Sequence, residues 1–388
     1  MKNAKSASVW SRAVFLLPAG VALLAGLDAA LLLLGLAAPV EAARLGDLHG
    51  MLMVVGFLGT LIALERAVAL RLPWGYAAPG LLGTGALALL SPAPETLGKV
   101  LLIDGALAFA AVYVALFRRN RDDVVLVELL GAVLATIATV LWLSTPIPYL
   151  LPWLVGFVVL TITAERVELA RLTMPATGGR TLVLFASALG AASVLTLFWA
   201  DFGARALGLV TAALVVWLVR HDVARRTIRS RGLPRFSAAA LLGGYAWLLA
   251  AGLAWLVGGA PVGGAPYDIV VHSVFLGFAI SMVLAHAPII LPAVLRRPLP
   301  YRSAMWIPLV LLHVGLAIRV LAGDLAGSQT WWRIGSVTNV TALLLFLLVA
   351  ATSAALGPPR RQAPARAPRS PGADPTPDPH DTQIGSTP

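Results

Sequence analysis

The chain has 388 residues, 59% of them apolar and only 12% charged, with a net charge of +11 and a mean hydropathy of +0.86. A soluble domain carries about 25% charged residues, so this composition excludes an ordinary cytosolic domain, a nucleic-acid-binding module and a disordered chain. Cysteine is absent, which also excludes disulfides, thiolate metal sites and covalent haem attachment through paired cysteines.

Runs of about 20 apolar residues, each long enough to cross a bilayer, recur along the chain. They predict twelve helices at 13–37, 48–70, 77–91, 99–117, 124–143, 149–170, 181–200, 205–220, 237–258, 268–291, 304–323 and 333–356. The Leu, Ala, Val and Gly runs lack strand alternation, so the expected fold class is an all-α polytopic membrane bundle in contact with lipid rather than a barrel. The first run follows Lys2, Lys5 and Arg12 and exceeds the core of about 7–15 residues of a signal peptide, so it is read as a span. The expected organisation is an N-terminal tail over 1–12, a transmembrane domain over 13–356 and a disordered Pro-rich tail over 357–388.

Basic residues fix the orientation. Lys2, Lys5 and Arg12 precede span one, and alternate loops carry Arg66 and Arg71; Arg118, Arg119 and Arg121; Arg166, Arg171 and Arg180; six arginines from Arg220 to Arg235; and Arg296, Arg297 and Arg302. With Arg360, Arg361, Arg366 and Arg369 this face holds 24 of 29 basic residues, against Arg44, Lys99, Arg205 and Arg333 opposite. The positive-inside rule then puts both termini in the cytoplasm. The basic 220–236 loop is a topology determinant or a contact for anionic lipid.

An internal repeat appears at an offset of 100 residues. Gly56-Phe57 recurs as Gly156-Phe157, Ile62 as Ile162, Glu65-Arg66 as Glu165-Arg166 and Arg71-Leu72 as Arg171-Leu172, with an echo at Gly277-Phe278. The copies fall in spans two, six and ten, which predicts three arcs of four helices about a pseudo-threefold axis.

Ionisable groups at membrane depth are costly and so point to function. Of six histidines, His380 falls in the tail and His221 in a basic loop, leaving His49, His272, His286 and His313. His49 lies seven residues before Gly56, and His272 five before Gly277; at about 1.5 Å per residue their depths differ by about 3 Å. Two imidazoles at one depth on different helices suit the two faces of a haem iron, with Gly50 letting a macrocycle approach the backbone. The alternative is a pair of interfacial histidines satisfied by water or carbonyls. His286 and His313 are read as further metal ligands, proton relays or packed polar groups. Arg319 and Arg333, beside Trp331 and Trp332, either bind haem propionates through their guanidinium forks or belong to an interfacial belt. Glu65-Arg66 and Glu165-Arg166 read as charges snorkelling to the interface. Met51 and Met53 suit copper(I) or simple packing.

The segment His49-Gly50-Met51-Leu52 leading to Gly56-Phe57 resembles the first histidine motif of NnrS-type membrane proteins. His272, Gly277, Met282 and Arg297-Pro298-Leu299 fall at the spacing of that family's second motif. The resemblance covers mainly spans two and ten. It implies a twelve-helix bacterial protein that carries haem b and copper and is linked to nitric oxide stress, metal handling or exchange with a respiratory electron carrier. Asp47 and Gly50 stand where the family has a further histidine and an acid, which weakens the copper expectation more than the haem one. The helix count and the histidines in spans two and ten also look like the large subunit of haem-copper oxidases. Spans six and seven, however, lack the copper-binding histidines of that family, so no reaction is assigned. The competing readings are a secondary transporter with a polar midplane site, for which Asp28, Asp104 and the Pro-broken segment 286–298 would line a path, and an accessory protein without chemistry of its own.

Overall fold

The computed structural model describes residues 14–358 apart from 43 and 172; the expected N-terminal tail and residues 359–388 of the expected C-terminal tail lie outside the described residues. Twelve helical rods follow one another: α1 (Leu16–Leu33), α2 (Leu45–Leu70), α3 (Ala77–Leu90), α4 (Glu95–Asn120), α5 (Asp123–Leu141), α6 (Ile147–Leu169), α7 (Gly178–Leu195), α8 (Ala200–His221), α9 (Leu233–Gly258), α10 (264–295), α11 (Ser303–Leu325) and α12 (Gln329–Leu356). No strand occurs among the described residues. Among the described residues eleven rods are long and apolar enough to cross a membrane. The exception is α3, whose 14 residues span about 21 Å against a hydrocarbon core of about 30 Å; a 3₁₀ turn at Pro73–Tyr76 leads into it.

Local chemistry sets the helix ends. Pro94 and Pro146 stand at the N-caps of α4 and α6, where a missing amide costs nothing. Asp122 caps α5 by accepting the Val124 amide at 3.0 Å. Arg71, Arg121 and Arg296 terminate α2, α4 and α10 in the left-handed region, at φ of 62°, 51° and 52°, each placing a cation where the helix dipole favours one.

The bundle has an inner set and an outer ring. In α2, α6 and α10, 72%, 78% and 67% of the apolar window is buried, against at most 56% in the other eight long helices. Around them α1 packs on α3, α3 on α4, α4 on α5, α5 on α7, α7 on α8, α8 on α9, α9 on α11, α11 on α12, and α12 returns to α1. This succession repeats itself every four helices, so the sequence repeat corresponds to three structural arcs, and its three copies are the inner helices. Small residues permit the closest crossings: a Cβ on Gly208 of α8 would stand 2.4 Å from the Gly252 carbonyl oxygen of α9, a backbone approach only glycine allows.

Two inner helices depart from α geometry where the Gly-Phe pair lies. Leu52–Gly59 in α2 and Ser273–Ile280 in α10 are π-helical, as is Ile318–Leu325 in α11, whereas α6 stays regular. The wider π turn is uncommon and recurs at functional sites.

Candidate functional site

A cavity of about 700 Å³ opens between α2 and α10 at the end of the bundle opposite the arginine-rich loops. Its wall includes His49, Gly50 and Met53 of α2, Asp268, His272 and Phe275 of α10, Arg319 of α11, and Trp332 and Asn339 of α12. The volume falls within the range of about 300–1,000 Å³ of small-molecule sites. The two histidines at matched depth therefore face one space, although His272 lies at the end of the nine-residue segment Gly264–His272 and so about two turns into its helix.

Both rings are anchored through the same atom. His49 Nδ1 lies 2.8 Å from the Gly26 carbonyl oxygen of α1, and His272 Nδ1 lies 3.1 Å from the Asp268 carbonyl oxygen and 3.3 Å from Asp268 Oδ1. These partners accept only, so Nδ1 donates in each ring, and in a neutral ring Nε2 then keeps its lone pair. Ligating histidines are held in this way by a carbonyl or a carboxylate.

Asp268 organises the α10–α11–α12 side of the cavity. Arg319 donates to its two carboxylate oxygens from Nε and Nη2, at 2.7 and 2.6 Å, and Trp332 Nε1 donates at 3.3 Å. The Arg319 guanidinium also lies 5.0 Å from the centre of the Trp332 ring. Arg319 thus lines the cavity with its charge already balanced by Asp268, rather than as a fork waiting for a propionate. Arg333 is exposed and is absent from the cavity wall; its side chain lies near Gly35. The second arginine of the wall is Arg44, bonded to the neutral Ser91 carbonyl. Gly50 lies on the wall, and a Cβ there would meet Ile147 at 3.6 Å, an ordinary contact, so this position does not require glycine for space.

The other histidines lie elsewhere. His313 accepts from Trp247 Nε1 at 3.0 Å, and its ring edge packs so tightly on Gly243 that an added Cβ would sit 2.6 Å from Nε2. No metal fits between them. His286 is buried with Nε2 unpartnered, six residues, or fewer than about two helical turns, beyond Ile280, where α10 leaves the cavity wall. Among the described residues no group of three His, Asp or Glu side chains is arranged to hold a metal ion, so the four histidines do not form one metal centre. Asp28 is buried and its Oδ1 accepts from the Val40 amide at 3.2 Å, whereas Asp104 is exposed on its helix; neither belongs to the cavity wall, and they do not line a common path.

The arginines of the repeated Glu-Arg pairs are buried in ion pairs rather than snorkelling, with Glu65 and Glu165 half-buried. Arg66 lies 2.6 Å from Glu65, 3.3 Å from Glu128, 3.6 Å from Glu165 and 3.7 Å from Glu168. Arg166 donates from Nε and Nη2 to Asp222, both at 2.6 Å; Asp222 also accepts from Tyr245 Oη at 2.7 Å and from the Ala224 amide at 2.7 Å. Burial pushes the Asp222 carboxyl upward, but these donors, Arg166 foremost, outweigh it and hold the group below the usual carboxylate range.

A family described as "Domain of unknown function (DUF8744)" matches residues 12–355. The chain belongs to this family. The match takes in all twelve helices of the DUF8744 protein, and with them the cavity and the buried charge network. No curated protein and no solved structure gives a significant match.

Sequence reasoning named His49, His272 and Arg319, took Trp332 for part of an interfacial belt, and missed Asp268 and Asn339. Asp268 carried a usable signal: it precedes His272 by four residues, which places the two on one helix face. Asn339 carried none, since its place on the wall depends on how α12 rotates against α11, where it donates to the Leu312 carbonyl at 2.8 Å.

Proposed function

We propose that the protein is an integral membrane haem-binding protein in which His49 and His272 hold the iron of a b-type haem between α2 and α10. The observation that carries this reading is that two histidines of neighbouring inner helices line one cavity of about 700 Å³, each anchored at Nδ1 and keeping Nε2 for coordination. Haem iron needs only two axial side chains, a requirement met without the three-residue cluster of a bare metal site. The wall suits an apolar macrocycle: Leu27, Val54, Phe275 and Leu343 contribute to it. Arg44, bonded only to a carbonyl in the contacts given above, offers a cation to an acidic edge, and the Asp268 carboxylate holds both the His272 ring and Arg319 in position. When bound, haem supplies one-electron redox chemistry and an iron at which a small diatomic ligand can compete.

The resemblance to NnrS-type proteins supports the same pair of histidines and directs the role toward nitrogen-oxide stress or electron transfer. The 24-to-4 partition of basic residues supports an inner-membrane location with the arginine-rich face in the cytoplasm, so the cavity belongs to the periplasmic half.

The test is the visible spectrum of full-length protein purified in detergent after haem-supplemented expression. A Soret band is expected, lost in His49→Ala and in His272→Ala and kept in His313→Ala. A colourless wild-type protein, or a band that survives both cavity substitutions, would falsify the proposal. Nitric oxide added to the reduced protein then separates two roles: a shifted band marks a displaceable ligand, and an unshifted one favours electron transfer.

A further inference from the structure

The arginine-rich half of the bundle holds a second polar site, unrelated to the cavity. Nine residues beyond each repeated glycine stand Glu65 on α2, Glu165 on α6 and His286 on α10, one from each inner helix. Around Arg66, which lies within 4 Å of Glu65, Glu128, Glu165 and Glu168, one guanidinium reaches four carboxylates. Arg166 is engaged elsewhere, with its hydrogen bonds to acid going to Asp222.

Two further observations point to a ligand among these groups. The Glu65 and Glu165 carboxylates converge on one atom, lying 2.6 and 3.6 Å from Arg66 Nη2, a crowding of like charges that a proton on one of them relieves. Deeper in, the Tyr113 hydroxyl of α4 is completely buried without a partner, and Glu128 Oε2 and His286 Nε2 are likewise buried and unpartnered. Metal is disfavoured as the occupant, since no group of side chains here is arranged to hold one among the described residues. A proton needs no such coordination.

Exposure is graded from the surface inward. The Glu168 side chain is 47% exposed, Glu65 and Glu165 are 19% and 14% exposed, and Glu128 is 1% exposed. We propose that Glu65, Glu165 and Glu128 form a proton-binding site around Arg66, holding a proton shared between Glu65 and Glu165 and loaded from the arginine-rich face past Glu168. The groups that set its charge are Glu65 and Arg66 of α2, Tyr113 of α4, Asp122 at the N-cap of α5, Glu128 of α5, Glu165 and Glu168 of α6, and His286 of α10.

Infrared spectroscopy of the full-length protein in detergent tests this directly through the C=O stretch of a protonated carboxylic acid. Ordinary carboxyls titrate near pH 4, so at about pH 7 only perturbed acids contribute. Asp324, whose Oδ2 is enclosed without a partner and which lines a small pocket with Asp268, is another candidate. The measurement is therefore made in an Asp324→Asn background. A carboxylic acid band at about pH 7, downshifted in deuterium oxide and lost in both Glu65→Gln and Glu165→Gln, is the expected result. Absence of the band in the Asp324→Asn protein overturns the proposal without recourse to the other variants. A band unaffected by Glu65→Gln and Glu165→Gln also overturns it.

Discussion

Asp222→Asn removes one negative charge at nearly constant volume from a carboxylate whose side chain is 0% exposed. In the native protein that carboxylate accepts from Arg166 Nε and Nη2, Tyr245 Oη and the Ala224 amide. The substitution leaves the Arg166 guanidinium, itself 10% exposed, as an uncompensated buried cation. Breaking a buried pair from one side costs about 3–5 kcal/mol. With an unfolding entropy of about 2.1 cal/mol/K per residue over the helical unit, each kcal/mol moves Tm by roughly 1.4 °C, so a drop of about 4–7 °C is expected. Thermal denaturation in detergent, followed by tryptophan fluorescence at a fixed scan rate, measures it. The double variant Arg166→Met with Asp222→Asn should recover most of the loss, because no charge is then stranded. Because the folded Asp222 carboxyl titrates below its unfolded value, its contribution is complete above the unfolded pKa near 4 and fades as pH falls through the folded one. The gap between wild type and Asp222→Asn should therefore stay constant from about pH 5 to 8 and close only in stronger acid. A single-variant loss under about 1 kcal/mol, or a double variant no more stable than Asp222→Asn, would refute the argument.

Further outcomes follow from other contacts. Arg319→Met strands Asp268, which also positions the His272 ring; Tm should fall by several degrees, and any Soret band should weaken or shift while His286→Ala leaves it unchanged. Gly208→Leu forces apart helices whose backbones touch and should reduce the yield of folded protein several-fold in detergent extracts, whereas Gly258→Ala, with open space around its Cβ position, should be tolerated. A cysteine at Val262, which is 53% exposed, should react with an impermeant thiol reagent in intact cells, and one at Ser230 should react only after lysis. The reverse labelling pattern would invert the proposed orientation.

Hydrophobic run length and the alternation of arginines determined much of this protein without any structure. A segment rich in Leu, Ala and Val must satisfy its amides internally in lipid, which dictates helices and their number. The Gly-Phe repeat pointed to spans two, six and ten, which are the inner helices; hydropathy did not single them out, because several outer helices are as apolar. Depth was legible too, since rise per residue in a helix is constant: His49 and His272 do share one end of the bundle. Rotation about each helix axis was not legible in spans apolar all round, and it decides which polar groups meet. It put Arg319 onto Asp268 and took Arg333 away from the cavity. It also drew Glu128 and Tyr113 of two other helices toward Arg66, and turned charges read as snorkelling into a buried network. The short α3 and the π-helical stretches depend on how neighbouring rods pack, so only the tertiary structure fixed them. Contacts between helices far apart in the chain, rather than any local pattern, complete both the cavity and the acidic site.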